Sequence, residues 1–261
     1  MSTSKIQVLI ATMFQSDHSL LERMNIQSDA IVVNQCDYDA IERFQFRGNN
    51  ILWLSLKERG VGLSRNTALM RATADILLFA DEDVILKDNY VELIEKEFQK
   101  NKQVDFVCFN IESLNKERQS VITTKQYKLR WYNSLKFGAC RLAIKRKSIQ
   151  RVNVFFSLLF GGGAIYQSGE DSLFILNCLQ KKLKGIASPM WLGLVEQKSS
   201  TWFNGHDEKY FFDKGVLMKS IFGKKACIVA IVLVLKNKNQ CREIGVKKAL
   251  KSILKGVKKE I

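Results

Sequence analysis

Hydrophobic positions along the first 110 residues gather into short runs divided by amphipathic stretches. The runs "IQVLIATM" (6–13), "AIVVNQ" (30–35) and "NILWLSL" (50–56) have strand length. Their nearly unbroken apolar character predicts strands covered on both faces. Helical spacing marks "SLLERMNI" (19–26), the stretch from about Leu63 to Thr73, and that from about Asn89 to Gln99. "VDFVCFN" (104–110) adds a strand, and from Glu112 to Arg130 the chain turns polar, as a loop does. Strands alternating with helices predict an α/β fold, with a mostly parallel mixed sheet and right-handed crossovers.

The second half is less regular. "FGACRLAIKR" (137–146) and "MWLGLVEQ" (190–197) read as strands, and "LLFGGGAIYQSG" (158–169) as a glycine-hinged loop. "EDSLFILNCLQKKL" (170–183) reads as a helix that is apolar almost all round and therefore largely buried. At its start the helix dipole favours the negative charge of Glu170 and Asp171.

A chain of 261 residues, 46% hydrophobic and 26% charged, supports a sizeable core and excludes disorder. Pro189 is the single proline, and no repeat or low-complexity segment divides the chain. One domain is expected over 1–213, in two halves that meet at about residue 110. An extension follows over 214–261. The amino-terminal run lacks the features of a signal peptide, so a first core strand of a cytosolic protein is expected. The six cysteines have no spacing typical of metal or redox pairs.

Net charge is +15, but its distribution argues against nucleic acid as a partner. From Lys214 onward there are thirteen Lys/Arg and two Glu, a surplus of +11, leaving +4 for the body. Within this tail Val246, Ala249, Leu250, Ile253, Leu254 and Val257 recur at helical spacing, with lysines mainly opposite. Such a basic amphipathic helix either lies on an anionic membrane surface or packs on the catalytic domain with a solvated lysine face. "ACIVAIVLVL" (226–235) is too short to span a bilayer, which needs about 20 residues.

The chemistry concentrates in three places. In "DILLFADEDVIL" (75–86) a buried strand ends in Asp81, Glu82 and Asp83. On an extended chain Asp81 and Asp83 project to one side, and such a pair can hold Mg²⁺ or Mn²⁺ together with substrate phosphates. Isolated, the motif is more often a solvated acidic turn; the buried strand before it shifts the balance. Upstream, Arg59 and Arg65 flank glycines before a helix, an arrangement suited to a diphosphate. Downstream, "GGGAIYQSGED" (161–171) offers a carboxylate at a helix start, as a general base or simply a helix cap.

These pieces, in this order, resemble an inverting family 2 glycosyltransferase with the A-type fold, of the bacterial surface-polysaccharide or O-antigen kind. The resemblance spans roughly residues 5–215 and includes "VVNQ", "GLSRNTAL", "FADED", "GED" and "SSTWFNGHDEKYFFDKG". It implies that 1–213 is a single Rossmann-like catalytic domain, with a nucleotide-sugar half over about 1–110 and an acceptor half over about 111–213. It implies a UDP-hexose donor and a saccharide acceptor on a polyprenyl-diphosphate lipid. It further implies a place on the inner face of the cell membrane. Asp83 with Asp81 would hold the metal, Asp171 would be the base, and Glu170 would orient it or meet the acceptor. Thr12, Asn34 and Gln35 would meet the nucleoside, although the family often carries Asp-Asp where Asn34-Gln35 stand. Many relatives add a late metal-binding histidine, for which His206 is the candidate. A sugar nucleotidyltransferase is the competing enzyme class, but "IATMFQSD" (10–17) lacks the glycine-rich basic loop that class needs. A basic nucleic-acid-binding protein is the competing non-enzyme.

Overall fold

A computed structural model describes residues 5–115, 120–197 and 205–260. The centre of the fold is β1 (Ile6–Met13), hydrogen-bonded in parallel to β2 (Asp29–Gln35) and β5 (Ile76–Asp81). β2 continues in parallel to β4 (Asn49–Leu56), with β3 (Ala40–Phe46) as the antiparallel edge. Beyond β5 lie β9 (Leu142–Lys145), β7 (Phe106–Ser113), β10 (Gly185–Val195) and β6 (Val84–Leu86), while β8 (Tyr127–Lys128) pairs with β10. The result is a ten-stranded mixed sheet, parallel at its centre.

Side-chain alternation divides each central strand between two cores. Val8, Ile10, Leu78 and Ala80 pack with Trp53, Tyr90 and Phe109 on one face. Leu9, Leu77 and Phe79 pack with Phe156, Phe174 and Ile175 on the other. The first face is covered by α1 (Leu20–Arg23) and α3 (Tyr90–Lys100), the second by α2 (Val61–Arg71), α4 (Arg146–Val152) and α5 (Glu170–Gln180). The near-continuous apolar runs are thus doubly covered strands, as their pattern predicts. β10 is longer than expected and irregular around Pro189, where its register with β7 shifts twice. A proline inside a strand is accommodated at such irregularities.

The last third of the chain forms its own helical core from α6 (Glu208–Phe222), α7 (Ala226–Lys236) and α8 (Val246–Val257). The expected boundary at 213/214 falls inside α6, a continuous helix. Ala249, Ile253 and Val257 of α8 are buried, whereas Lys247, Lys248, Lys251, Lys255, Lys258 and Lys259 are exposed. Of the two expectations for this helix, packing on the protein is the one its apolar stripe satisfies. Among the described residues no helix is long and apolar enough to cross a membrane. Residues 199–204 of the "SSTWFNGHDEKYFFDKG" stretch lie outside the described residues.

α6 and α8 cross at two glycines. A Cβ on Gly256 would fall 2.0 Å from the Phe212 carbonyl oxygen, and one on Gly215 would fall 2.0 Å from that of Ile253. Helix propensity alone favours alanine over glycine by about 1 kcal/mol. Overpacking reverses the sign: Gly256→Ala is expected to destabilise by about 1–3 kcal/mol in urea unfolding. A gain in stability would show that the helices can separate freely.

Candidate active site

Parallel register brings the ends of β1, β2, β4 and β5 to one edge of the sheet. Thr12 lies opposite Asn34, Asn34 opposite Ser55, and Ala11 opposite Asp81. Ligands of open α/β sheets bind at this carboxyl edge. The acidic triplet divides its work there. Glu82 turns toward β1, accepting from the Thr12 hydroxyl, the Met13 amide at 3.0 Å and the Gln15 side-chain amide at 3.2 Å. The strand ends at Asp81 and the chain turns at Glu82–Asp83, so the extended-chain argument for Asp81 and Asp83 does not apply. The turn nonetheless leaves the two carboxyls within electrostatic reach of each other.

Arg65, on α2, links this edge to the second half of the chain. Its guanidinium donates to Asp81 at 2.7 Å, to Asp171 at 2.7 Å and to Glu170 at 3.0 Å. Phe156 lies beneath the guanidinium at 5.3 Å, stacked in turn on Phe174 with centroids 4.0 Å apart. The Arg65 side chain is only 3% exposed, against 36% for Asp81, 25% for Asp171 and 11% for Glu170. A ligand can therefore reach Asp81 and Asp171 from solvent, while Arg65 faces inward onto the carboxylates. The next residue, Asn66, clamps Phe156 through both its backbone amide (2.8 Å) and its carbonyl (2.9 Å).

The glycine loop is fitted to this arrangement. At Gly161 φ is +109°, and a Cβ would lie 2.8 Å from both the Glu170 carboxyl carbon and a Val61 methyl. At Gly169 φ is +124°, and a Cβ would lie 2.5 Å from Leu217 of α6. Both positions need glycine for backbone conformation and for space. α6 holds the same loop through Asp213, which accepts from the Gln167 amide at 3.0 Å, and through Lys214, which donates to Ser168 at 3.2 Å.

Charge crowding sets the protonation of the site. The Asp171 carboxyl is raised to about 7, by burial first and then by the Glu170 and Asp81 charges, against the opposing pull of Arg65 and an Ala139 backbone hydrogen bond. The expectation that the helix dipole keeps it readily ionised is thus outweighed by burial and like charge. Asp83 is raised to about 6 by burial, then by Asp81 and Glu82. Burial alone would lower Arg65, but Asp81, Asp171 and Glu170 together hold it well above its ordinary value.

A divalent cation fits these donors. Asp81 and Asp83 are hard oxygen ligands, partly open, whose crowding raises Asp83, and a nearby 2+ charge relieves that repulsion. Among the described residues no group of three His, Cys, Asp or Glu could hold a metal ion. Two carboxylates completed by substrate phosphates and water is a usual arrangement for Mg²⁺.

The remaining expected residues lie around the rim or brace it. The Asn34 side chain bridges the Gln15 amide and carbonyl, both at 3.0 Å, and Gln35 accepts from the Gly60 amide at 2.7 Å. Both are buried supports of neighbouring loops. Arg59 donates to Asp37 at 2.6 Å and lies 4.8 Å over the exposed ring of Phe14. His206 stands by α6, its amide donating to Glu243 at 2.9 Å and its ring edge-on to Tyr210. Phe14, Asp37 and Lys214 were not singled out from the sequence. Asp37 lies two residues past the β2 end and was open to the same argument as Asn34 and Gln35. Lys214 looked like the first charge of the tail, yet burial lowers its ammonium from the ordinary value, against the opposing pull of Glu170 and Asp213.

The mixed α/β sheet, parallel at its centre, with its C-terminal helices is the A-type glycosyltransferase fold. The glycosyl transferase family 2 model matches residues 17–157, more than half of the chain. The protein belongs to that family. The fold is also that of S. aureus TarS 1–349 solved with UDP-GlcNAc, with a TM-score of 0.60, 13% identity, and coverage of 93% of this chain and 74% of that one. The mannosyltransferase PcManGT from Pyrobaculum calidifontis, solved with GDP-Man and Mn²⁺, matches at a TM-score of 0.51 and 12% identity. That match covers 100% of this chain and 77% of PcManGT. No curated protein matches the chain in sequence.

Removing the guanidinium should expose what it neutralises. Arg65→Met leaves Asp81, Glu170 and Asp171 without their counter-charge, with an expected loss of about 3–5 kcal/mol near neutral pH. Asp171, raised to about 7 even beside Arg65, is raised further without it, so its protonation favours the folded variant. The deficit in urea unfolding should shrink as pH falls from 8 toward 4. A deficit independent of pH would mean that only packing was lost.

Proposed function

We propose that the protein is an inverting, metal-dependent hexosyltransferase. It moves a sugar from a nucleotide diphosphate, a UDP-hexose, to a hydroxyl of a saccharide acceptor carried on a polyprenyl-diphosphate lipid. The setting is bacterial surface-polysaccharide synthesis of the O-antigen kind, at the inner face of the cell membrane. One observation carries the catalytic reading: a carboxylate at the β5 end and two at the α5 start share one buried guanidinium. The nucleotide sugars held by TarS and PcManGT support the donor class. The +11 surplus of the tail supports the membrane setting.

In this reading Asp81 and Asp83 hold Mn²⁺ or Mg²⁺, which when bound supplies positive charge for the departing diphosphate. Phe14 and the Arg59–Asp37 pair offer a surface to the nucleoside, on loops fixed by Thr12, Asn34 and Gln35. Asp171 takes the acceptor proton as the hydroxyl oxygen attacks the anomeric carbon from the face opposite the nucleotide. The bond to the diphosphate breaks with its electron pair leaving on the nucleotide, so one displacement inverts the centre. Glu170 is the poorer base because less of it reaches solvent, 11% against 25% for Asp171, and the Gly169 amide holds its second oxygen at 3.1 Å. It acts through its neighbour, holding charge beside Asp171.

Asp171→Asn should retain donor binding and lose roughly 10²–10⁴ in turnover, because the amide keeps the size but takes no proton. If Asp171→Asn and Glu170→Gln both stay active, the base lies elsewhere. Asp83→Ala should abolish metal-dependent nucleotide binding in a folded protein, measured by calorimetry with and without Mn²⁺.

The base works only when unprotonated, so kcat/KM should rise with pH through about 7, the raised value of Asp171. In Glu170→Gln that limb should move to lower pH, because a like charge that raises Asp171 has gone. An unmoved limb would assign it to another group.

A further inference from the structure

We propose that the outward face of α7, together with Trp131 and Tyr132, is a docking surface that seats the enzyme on an anionic lipid bilayer. This deepens the membrane setting proposed above and rests on it. Ala226, Ala230 and Val234 turn inward and are buried, yet the opposite side of the helix is apolar too. Ile228 is 68% exposed, Ile231 38%, Val232 42% and Leu235 47%. Their spacing of i, i+3, i+4 and i+7 places them on one stripe, where a surface helix ordinarily carries polar residues. An apolar ridge left in solvent marks a surface meant to be covered.

The charges around the ridge identify what covers it. Lys224 and Lys225 precede the helix, Lys236 and Lys238 follow it, and all are exposed. No acidic residue occurs between Lys214 and Arg242. A ridge fringed by cations alone matches acyl chains beneath anionic headgroups. It does not match a second copy, because a two-fold contact would set the same lysines against one another. Eleven residues of helix reach only about 16 Å, so α7 lies along a bilayer and does not cross it.

A second feature stands beside the ridge. Trp131 and Tyr132 are 59% and 66% exposed, and Trp131 packs edge-on against Phe222 with centroids 6.4 Å apart. Phe222 is the last residue of α6, separated from α7 by the single turn Gly223–Lys225. Tryptophan and tyrosine gather at the level of lipid headgroups, where an apolar ring with a polar edge is suited to both sides. The lysines of α8 add attraction over longer range, while its apolar stripe is already used inside the helical module.

The test is flotation of the full-length protein with phosphatidylcholine vesicles, with and without phosphatidylglycerol. Wild type should float only with phosphatidylglycerol, and added salt should weaken its binding. Ile228→Glu/Leu235→Glu should lower the partition coefficient at least about tenfold, and Trp131→Ala a few-fold. Lys224→Ala/Lys225→Ala should lower it on the order of tenfold. Circular dichroism and transfer to a lipid-free saccharide acceptor should match wild type in all three. If wild type floats and Ile228→Glu/Leu235→Glu floats equally, the membrane setting stands and the assignment to α7 falls. If wild type does not float, both fall, while transfer to the soluble acceptor judges the transferase reading separately. A wild-type dimer that the glutamate variant converts to monomer, without vesicle binding by either, would assign the ridge to self-association.

Discussion

One buried guanidinium holds the two halves of this protein in a common geometry. Burying the Arg65 charge is costly unless it is paired, and here three carboxylates compensate it. Two of them sit at the start of α5, more than a hundred residues further along the chain, and the third ends a central strand. The compensation is excessive, three negative charges for one positive, and Glu82 and Asp83 stand close by. The raised carboxyls of Asp171 and Asp83 follow from burial together with that imbalance.

The rest of the chain's second half is arranged to let α5 begin at that point. Its glycine loop approaches Val61 and Glu170 so closely at Gly161 that no larger residue fits, and Leu217 closes over Gly169 in the same way. Asp213 and Lys214 fasten the loop to α6, whose far end leads into α7. The helical module is therefore continuous with the site rather than appended to it, and a single helix joins the glycine loop to the apolar ridge.

Much of the sheet was legible because doubly covered strands are apolar along their whole length, as in Ile6–Met13 and Ile76–Ala80. β3 escaped notice because it is an edge strand with exposed Ile41, Glu42 and Arg43, which leaves no apolar run to detect. The amphipathic pattern of α8 was plain, but a stripe of apolar residues does not say whether protein or lipid will cover it. α7 had no period at all, since every side is apolar, so its exposed face emerged only from packing. At the site, the carboxylates were conspicuous by their position on a strand end and a helix start. The inward turn of Arg65 was not, because its partners are remote in sequence and a cation near glycines looks equally suited to phosphate.

Asn66 and Arg65 are neighbours on one helix turn, and between them they hold Phe156, Glu170 and Asp171. The first half of the chain thus carries, in two consecutive side chains, the template against which the second half is cast. Recombining halves between relatives would succeed only where this two-residue template and its glycine-bearing counterpart travel together. The natural seam for such exchange lies outside the polar contact between α2 and the 153–171 segment, and the chain is modular only up to that contact.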